Sequence, residues 1–237
     1  MSNCLFCSSE TFAYLPFEDI ILSKIKQIGG FKSKLNFVGF GGGRFLFNAM
    51  AKGYEDKGED FSNELTNNIE NAYPPARFQE IESFYIQNDI YEVIFTSNVF
   101  EHLINPLEVL HNLVQRIHPN EILVLDGSIE NNFMLAGTYR KILFGIRKKM
   151  GKIVSHIPRH IIYANAKNQR QFFEQPGLET LSYKLEEIHC PFPMRWQTAN
   201  DIKAKYLLMI AKISKTLGSC LPNNGNIFYF IGRKKSS

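Results

Sequence analysis

Between Leu35 and Lys52 a short apolar run, LNFVGF, meets three consecutive glycines, Gly41 to Gly43, and then a segment of helical period, Phe45 to Lys52. A strand, a tight turn and a helix in that order open a parallel β-α-β unit, because two parallel strands need a crossover between them. The chain continues the alternation. A weak second strand is expected over Gly53 to Gly58, and a helix capped by Ser62 that Pro74-Pro75 stops. A third strand is expected over Arg77 to Ile81, and a stronger one over Tyr91 to Ser97, YEVIFTS, rich in β-branched and aromatic residues. Leu107, Leu110, Leu113, Val114 and Ile117 fall near helical spacing, the turn His118-Pro119-Asn120 ends that helix, and Ile122 to Leu125 forms a fifth strand.

Beyond Asp126 the alternation loosens. Gly137 to Lys152 reads as a basic helical insert or lid, and Gln169 to Gln175 as a helix broken by Pro176-Gly177. Leu178 to Ile188 follows as a long strand, Asp201 to Leu217 as an apolar-periodic helix, and Asn226 to Ile231, NIFYFI, as the last strand.

Composition narrows the class. With 237 residues, 44% hydrophobic and 21% charged, the chain is an ordinary globular protein with length for one large α/β domain. A net charge of +4 is too mild to imply a nucleic-acid binder. Cys4, Cys7, Cys190 and Cys220 are too few for a disulfide framework, and no signal peptide or membrane-spanning stretch is read, so a cytoplasmic protein with reduced thiols is expected.

Glycines at the end of a first strand let a ligand approach the backbone, while the next helix offers its amides and dipole. Gly39, Gly41 and Gly43 stand at that place. Read as G-x-G-x-x-G the match fails at Arg44, which argues against a dinucleotide fold. Asp60, 17 residues beyond Gly43, sits where a second strand ends, and a carboxylate there can accept both ribose hydroxyls of a nucleoside. A solvated charge is the competing reading, since Glu55, Asp56 and Glu59 lie close by.

The stretch Val93 to Leu125 resembles the region from fourth to fifth strand of class I S-adenosylmethionine-dependent methyltransferases. The resemblance lies in Ser97-Asn98 closing a strand, then Glu101-His102-Leu103, a helix, and His118-Pro119-Asn120 in place of a Lys-Pro-Gly-like turn. The glycine loop and Asp60 fall in the family's order, so the likeness spans Leu35 to Asp126. It implies a Rossmann-like seven-stranded sheet, mostly parallel with an antiparallel last strand and helices on both faces. Residues 1–34 would be an N-terminal segment with Cys-x-x-Cys and a leading helix, and residues 35–237 the methyltransferase domain with a lid insert at about 130–165.

Carried over by position, the resemblance implies that Gly39, Phe40, Gly41 and Gly43 line the methionine and ribose of S-adenosylmethionine. Asp60 would bind the ribose hydroxyls, Phe61 would pack on the adenine, Glu80 and Ile81 would meet the adenine edge, and Asn98 would face the methionine moiety. One departure stands out: Phe37 occupies the place, two before the first glycine, where the family usually has an acidic residue.

The implied activity is methyl transfer to a small-molecule acceptor, a hydroxyl of a sugar or other metabolite, free or linked to a nucleotide or lipid. A hydroxyl acceptor must lose a proton. His102 is the first candidate base, with an orienting role for Glu101-His102 as the alternative, and His160 and His156 in SHIPRH come second. No metal is expected to be needed, although Cys4 and Cys7 resemble half of a zinc knuckle that Cys190, His189 or Cys220 could complete. The basic runs Arg147-Lys148-Lys149 and Arg233-Lys234-Lys235 could meet a phosphate or form solvated faces. Two rival classes stay open: a non-catalytic methyltransferase-like binding or scaffolding protein, and a nicotinamide-dependent oxidoreductase.

Overall fold

The structure is a computed structural model that describes residues 22–23, 25–27, 34–38, 45, 49, 52–60, 77–80, 90–129, 135–151, 161–186, 202–220 and 224–236. Its strands are β1 (Lys34–Val38), β2 (Glu55–Asp60), β3 (Arg77–Glu80), β4 (Tyr91–Ser97), β5 (Ile117–Ser128), β6 (Leu178–Glu186) and β7 (Ile227–Lys234). The helices bounded among the described residues are α1 (Pro106–Gln115), α2 (Leu135–Lys149), α3 (Ala166–Glu174) and α4 (Ile202–Cys220), with a 3-10 turn at Phe100–His102. The strands form one sheet in the order β3-β2-β1-β4-β5-β7-β6, with β7 antiparallel to both β5 and β6. The expectation of an α/β fold around a mixed sheet is borne out.

The pleat sends alternate side chains to opposite faces, and the central strands are apolar on both. Ile94 of β4, Leu123 and Leu125 of β5, and Phe228 and Phe230 of β7 share one face with Leu110 and Leu113 of α1 and Phe173 of α3. Val93, Phe95, Ile122, Val124, Tyr229 and Ile231 take the other, where Leu22, Ile25 and Ala49 cover them. Phe173 sits at the centre of the first layer, with ring centroids 4.9 Å from Phe230, 5.3 Å from Phe228 and 5.7 Å edge-on to Phe100.

Local chemistry sets the element ends. Pro106 opens α1 at a position that needs no amide donor. Asn165 caps α3, its side-chain oxygen accepting from the Asn168 amide at 3.0 Å. Gly177, at φ +84°, turns the chain from α3 into β6 as Pro176-Gly177 led us to expect.

Two expectations are corrected. The second strand runs over Glu55–Asp60 rather than Gly53 to Gly58, because Gly53, at φ +86°, is spent in the turn that precedes it. His118-Pro119-Asn120 is not the turn that ends the helix. Helix α1 stops at Gln115, Ile117 already pairs with Tyr91, and the next pair is Val93 with Ile122. The tripeptide is therefore extra chain inside β5, accommodated by Asn120 at φ +67°, a left-handed conformation that Asn tolerates.

Candidate functional site

In open α/β sheets a ligand site forms outside the carboxyl ends of the strands, where the strand order reverses. Here the reversal lies between β1 and β4, because the chain builds outward from β1 to β3 and then returns to its other side. Val38, the last residue of β1, pairs with Glu59 of β2 and Thr96 of β4. One position further along, Asp60 pairs with Glu80 at the ends of β2 and β3, and Ser97 pairs with Asp126 across β4 and β5. The sheet thus brings Asp60, Glu80, Ser97 and Asp126 to one carboxyl edge, although 66 residues separate the first from the last.

Asn98 leaves β4 at φ +53°, and its amide donates to the Asp126 carbonyl at 2.9 Å. Its side-chain amide donates to Ser97 Oγ at 3.2 Å, and the residue is exposed at the edge. The 3-10 turn follows. There Glu101 is buried, only 4% exposed, whereas the adjoining His102 is exposed. Glu101 Oε1 accepts from the Ser128 amide at 3.0 Å, and the Glu101 carbonyl accepts from the amides of Ile161 at 2.8 Å and Ile162 at 3.2 Å. Glu101 therefore joins the end of β4 to the end of β5 and to the segment that leads into α3. Of the Glu-His pair, Glu101 makes these links, and His102 is exposed on the turn beside it.

Asp126 escaped the sequence reading. It is 7% exposed and is opposed across the antiparallel pair by Tyr229. Burial, then the carboxylates of Glu186 and Asp126, keep the Tyr229 phenol protonated well above its ordinary range. A protonated phenol and a carboxylate thus lie side by side at the edge. The available signal was an acid directly closing the apolar run Ile122 to Leu125, the kind of placement that singled out Asp60.

Of the expected cofactor residues, Asp60 and Glu80 lie at strand ends in mutual register and Asn98 lies at the end of β4. Gly39, Phe40, Gly41, Gly43, Phe61 and Ile81 fall outside the described residues, as do His156, His160, Cys4, Cys7 and Cys190. Among the described residues no group of three or more His, Cys, Asp or Glu is placed to hold a metal ion.

No family model matches the chain. The ubiquinone biosynthesis O-methyltransferase of Rickettsia typhi is 26% identical over 221 residues, covering 86% of this chain and 83% of that protein. Its counterpart from Rickettsia canadensis is 32% identical over 117 residues, covering 45% of this chain and 48% of that protein. Among solved structures, a SAM-dependent methyltransferase from Archaeoglobus fulgidus aligns with TM-score 0.57 and 17% identity, covering 92% of this chain and 93% of the other. The cyclase SpnF aligns at TM-score 0.57 and 10% identity, covering 92% and 81%. The sheet order and these solved structures show the methyltransferase-like fold, and with the relatives named O-methyltransferases the resemblance to the class I S-adenosylmethionine-dependent methyltransferases is borne out.

Proposed function

We propose that the chain transfers the methyl group of S-adenosylmethionine to a hydroxyl oxygen of a small molecule, a sugar or another metabolite. The observation that carries this reading is the register of Asp60 with Glu80 at the carboxyl edge, beside the strand-order reversal. The relatives named O-methyltransferases support oxygen as the acceptor atom.

The donor set at the edge fits this cofactor: an acid ends the strand next to β1, a second acid ends β3, and small polar residues end β4. In this reading Asp60 holds the ribose hydroxyls as a charged acceptor, and Gly39, Gly41 and Gly43 let the backbone approach the methionine and ribose. Phe61, Glu80 and Ile81 enclose the adenine, and Asn98 meets the methionine end. When bound, the cofactor supplies a methyl group already activated by a positive sulfonium. The protein then has to hold the acceptor in line, exclude water and take away the hydroxyl proton. The His102 imidazole accepts that proton, while Glu101 holds the turn on which His102 is carried.

The test is calorimetric titration with S-adenosylhomocysteine, with NADH as a parallel control. Binding of the former alone, weakened about tenfold to hundredfold by Asp60→Ala, is expected from the loss of charged hydrogen bonds. No binding of either would sink the reading. A second reading is a methyltransferase-like binder without this activity. Phe37 in place of the usual acid favours it, and the cyclase SpnF has the same fold under a different name. That reading is distinguished by S-adenosylhomocysteine binding without turnover of any hydroxyl acceptor.

A further inference from the structure

Of the two strands that flank the reversal, β1 ends in Phe37 and Val38, which carry no polar side-chain atom, and these stand opposite Phe95 and Thr96 of β4. Thr96 is 0% exposed. Its neighbours along the row, Val38, Leu125 and Phe230, are apolar and buried, yet its own Oγ1 has no hydrogen-bond partner. Other buried polar side chains do have one: Glu101 accepts from the Ser128 amide, and Gln169 accepts from the Tyr183 hydroxyl. A hydroxyl buried without a partner destabilises a fold, and Val would fill the same shape without it. The protein thus holds an unpaired hydroxyl between the two strands where the order reverses, one residue inside the carboxyl edge. A partner for it has to come from outside the chain.

Topology decides which end of a ligand reaches Thr96. Asp60 ends β2, which lies on the side of β1 away from β4. A nucleoside whose ribose is held at Asp60 therefore extends its other end over β1 toward β4, where Thr96 stands. For S-adenosylmethionine that end carries an ammonium and a carboxylate, and a hydroxyl can accept from the former and donate to the latter.

We propose that the Thr96 hydroxyl hydrogen-bonds the amino-acid end of S-adenosylmethionine, and so supplies from β4 the polar group that the end of β1, with Phe37 where an acid is usual, lacks. The inference rests on the methyl-transfer reading and adds to it a residue that the family resemblance did not mark.

The test titrates the full chain calorimetrically, as wild type, Thr96→Val and Thr96→Ser, with S-adenosylhomocysteine and with 5′-methylthioadenosine, which has the adenosine and the sulfur but no amino-acid end. Thermal unfolding of the ligand-free proteins is measured alongside. Thr96→Val should raise the Tm of the free protein by about 2–4 °C, because it removes an unpaired buried hydroxyl. The same variant should bind S-adenosylhomocysteine about threefold to tenfold more weakly, with its affinity for 5′-methylthioadenosine unchanged. Thr96→Ser, which keeps the hydroxyl, should keep the wild-type affinity for both. A raised Tm with unchanged affinity for S-adenosylhomocysteine overturns the proposal and leaves the methyl-transfer reading standing. Equal losses for the two ligands also overturn it, since the hydroxyl would then act on the adenosine end. So does a lowered Tm in Thr96→Val, which would mean that the hydroxyl is already partnered in the free protein. Failure of the wild type to bind S-adenosylhomocysteine at all overturns this inference together with the methyl-transfer reading.

Discussion

The Glu101 carboxylate accepts a hydrogen bond from the Ser128 amide at 3.0 Å, across a gap of 27 residues that contains α1 and most of β5. The same carboxylate fills the space above Gly127, where an added Cβ would lie 2.9 Å from Glu101 Oε2 and 3.1 Å from the Phe228 ring. Gly127→Ala should therefore destabilise the protein by about 1–3 kcal/mol through overpacking. Glu101→Ala should cost about 1–3 kcal/mol by leaving the Ser128 amide unpaired. Because one atom group causes both effects, the double variant should cost less than their sum, by at least about 0.5 kcal/mol. Denaturant unfolding of the four proteins checks this, and strict additivity would refute the shared contact.

His102 and Glu101 are neighbours with opposite exposure, which makes their roles separable. As the base for a hydroxyl acceptor, His102→Ala should lower kcat by about 10² to 10⁴. Stability and S-adenosylhomocysteine affinity should be unchanged. A matching loss of cofactor affinity would instead assign His102 to positioning. The measurement pairs single-turnover kinetics with calorimetry.

Glu174 ties α3 to β6, accepting from Thr180 Oγ1 at 2.6 Å and from Arg170 Nε at 3.1 Å. The Thr180 hydroxyl first, and Arg170 second, hold its carboxyl below the ordinary glutamate value. A carboxyl with a lowered folded-state pKa stabilises the protein above its unfolded value, and that contribution is lost as pH falls through the folded one. The Tm difference between wild type and Thr180→Val should thus be full at neutral pH and shrink once pH drops below about 4, near the ordinary carboxyl range. A difference independent of pH would mean that the carboxylate is not the partner that matters.

Phe173 reaches across the first core layer to three other aromatic rings. Phe173→Ala should cost about 3–5 kcal/mol, the range for removing a buried aromatic side chain. Phe172→Ala, one residue earlier and only partly buried, should cost visibly less. Equal losses in thermal unfolding would place the core elsewhere than at Phe173.

What the sequence by itself determined is the alternation and its strongest members. β4, α3 and β7 carry enough apolar periodicity, capping or β-branched content within their own residues to be read locally, and the Glu-His-Leu stretch marks the turn that follows β4. Tertiary structure decided the rest. β2 has the sequence EDKGED, with no apolar residue, and forms a strand because β1 and β3 pair with it on both sides. His118-Pro119-Asn120 has the composition of a turn, yet the pairing of Ile117 with Tyr91 draws it into a strand. The burial of Glu101 and the company of Asp126 likewise depend on Ser128, Ser97 and Tyr229, partners from strands distant in sequence. Propensity and capping act within a few residues, whereas pairing and burial depend on which strands the fold sets side by side.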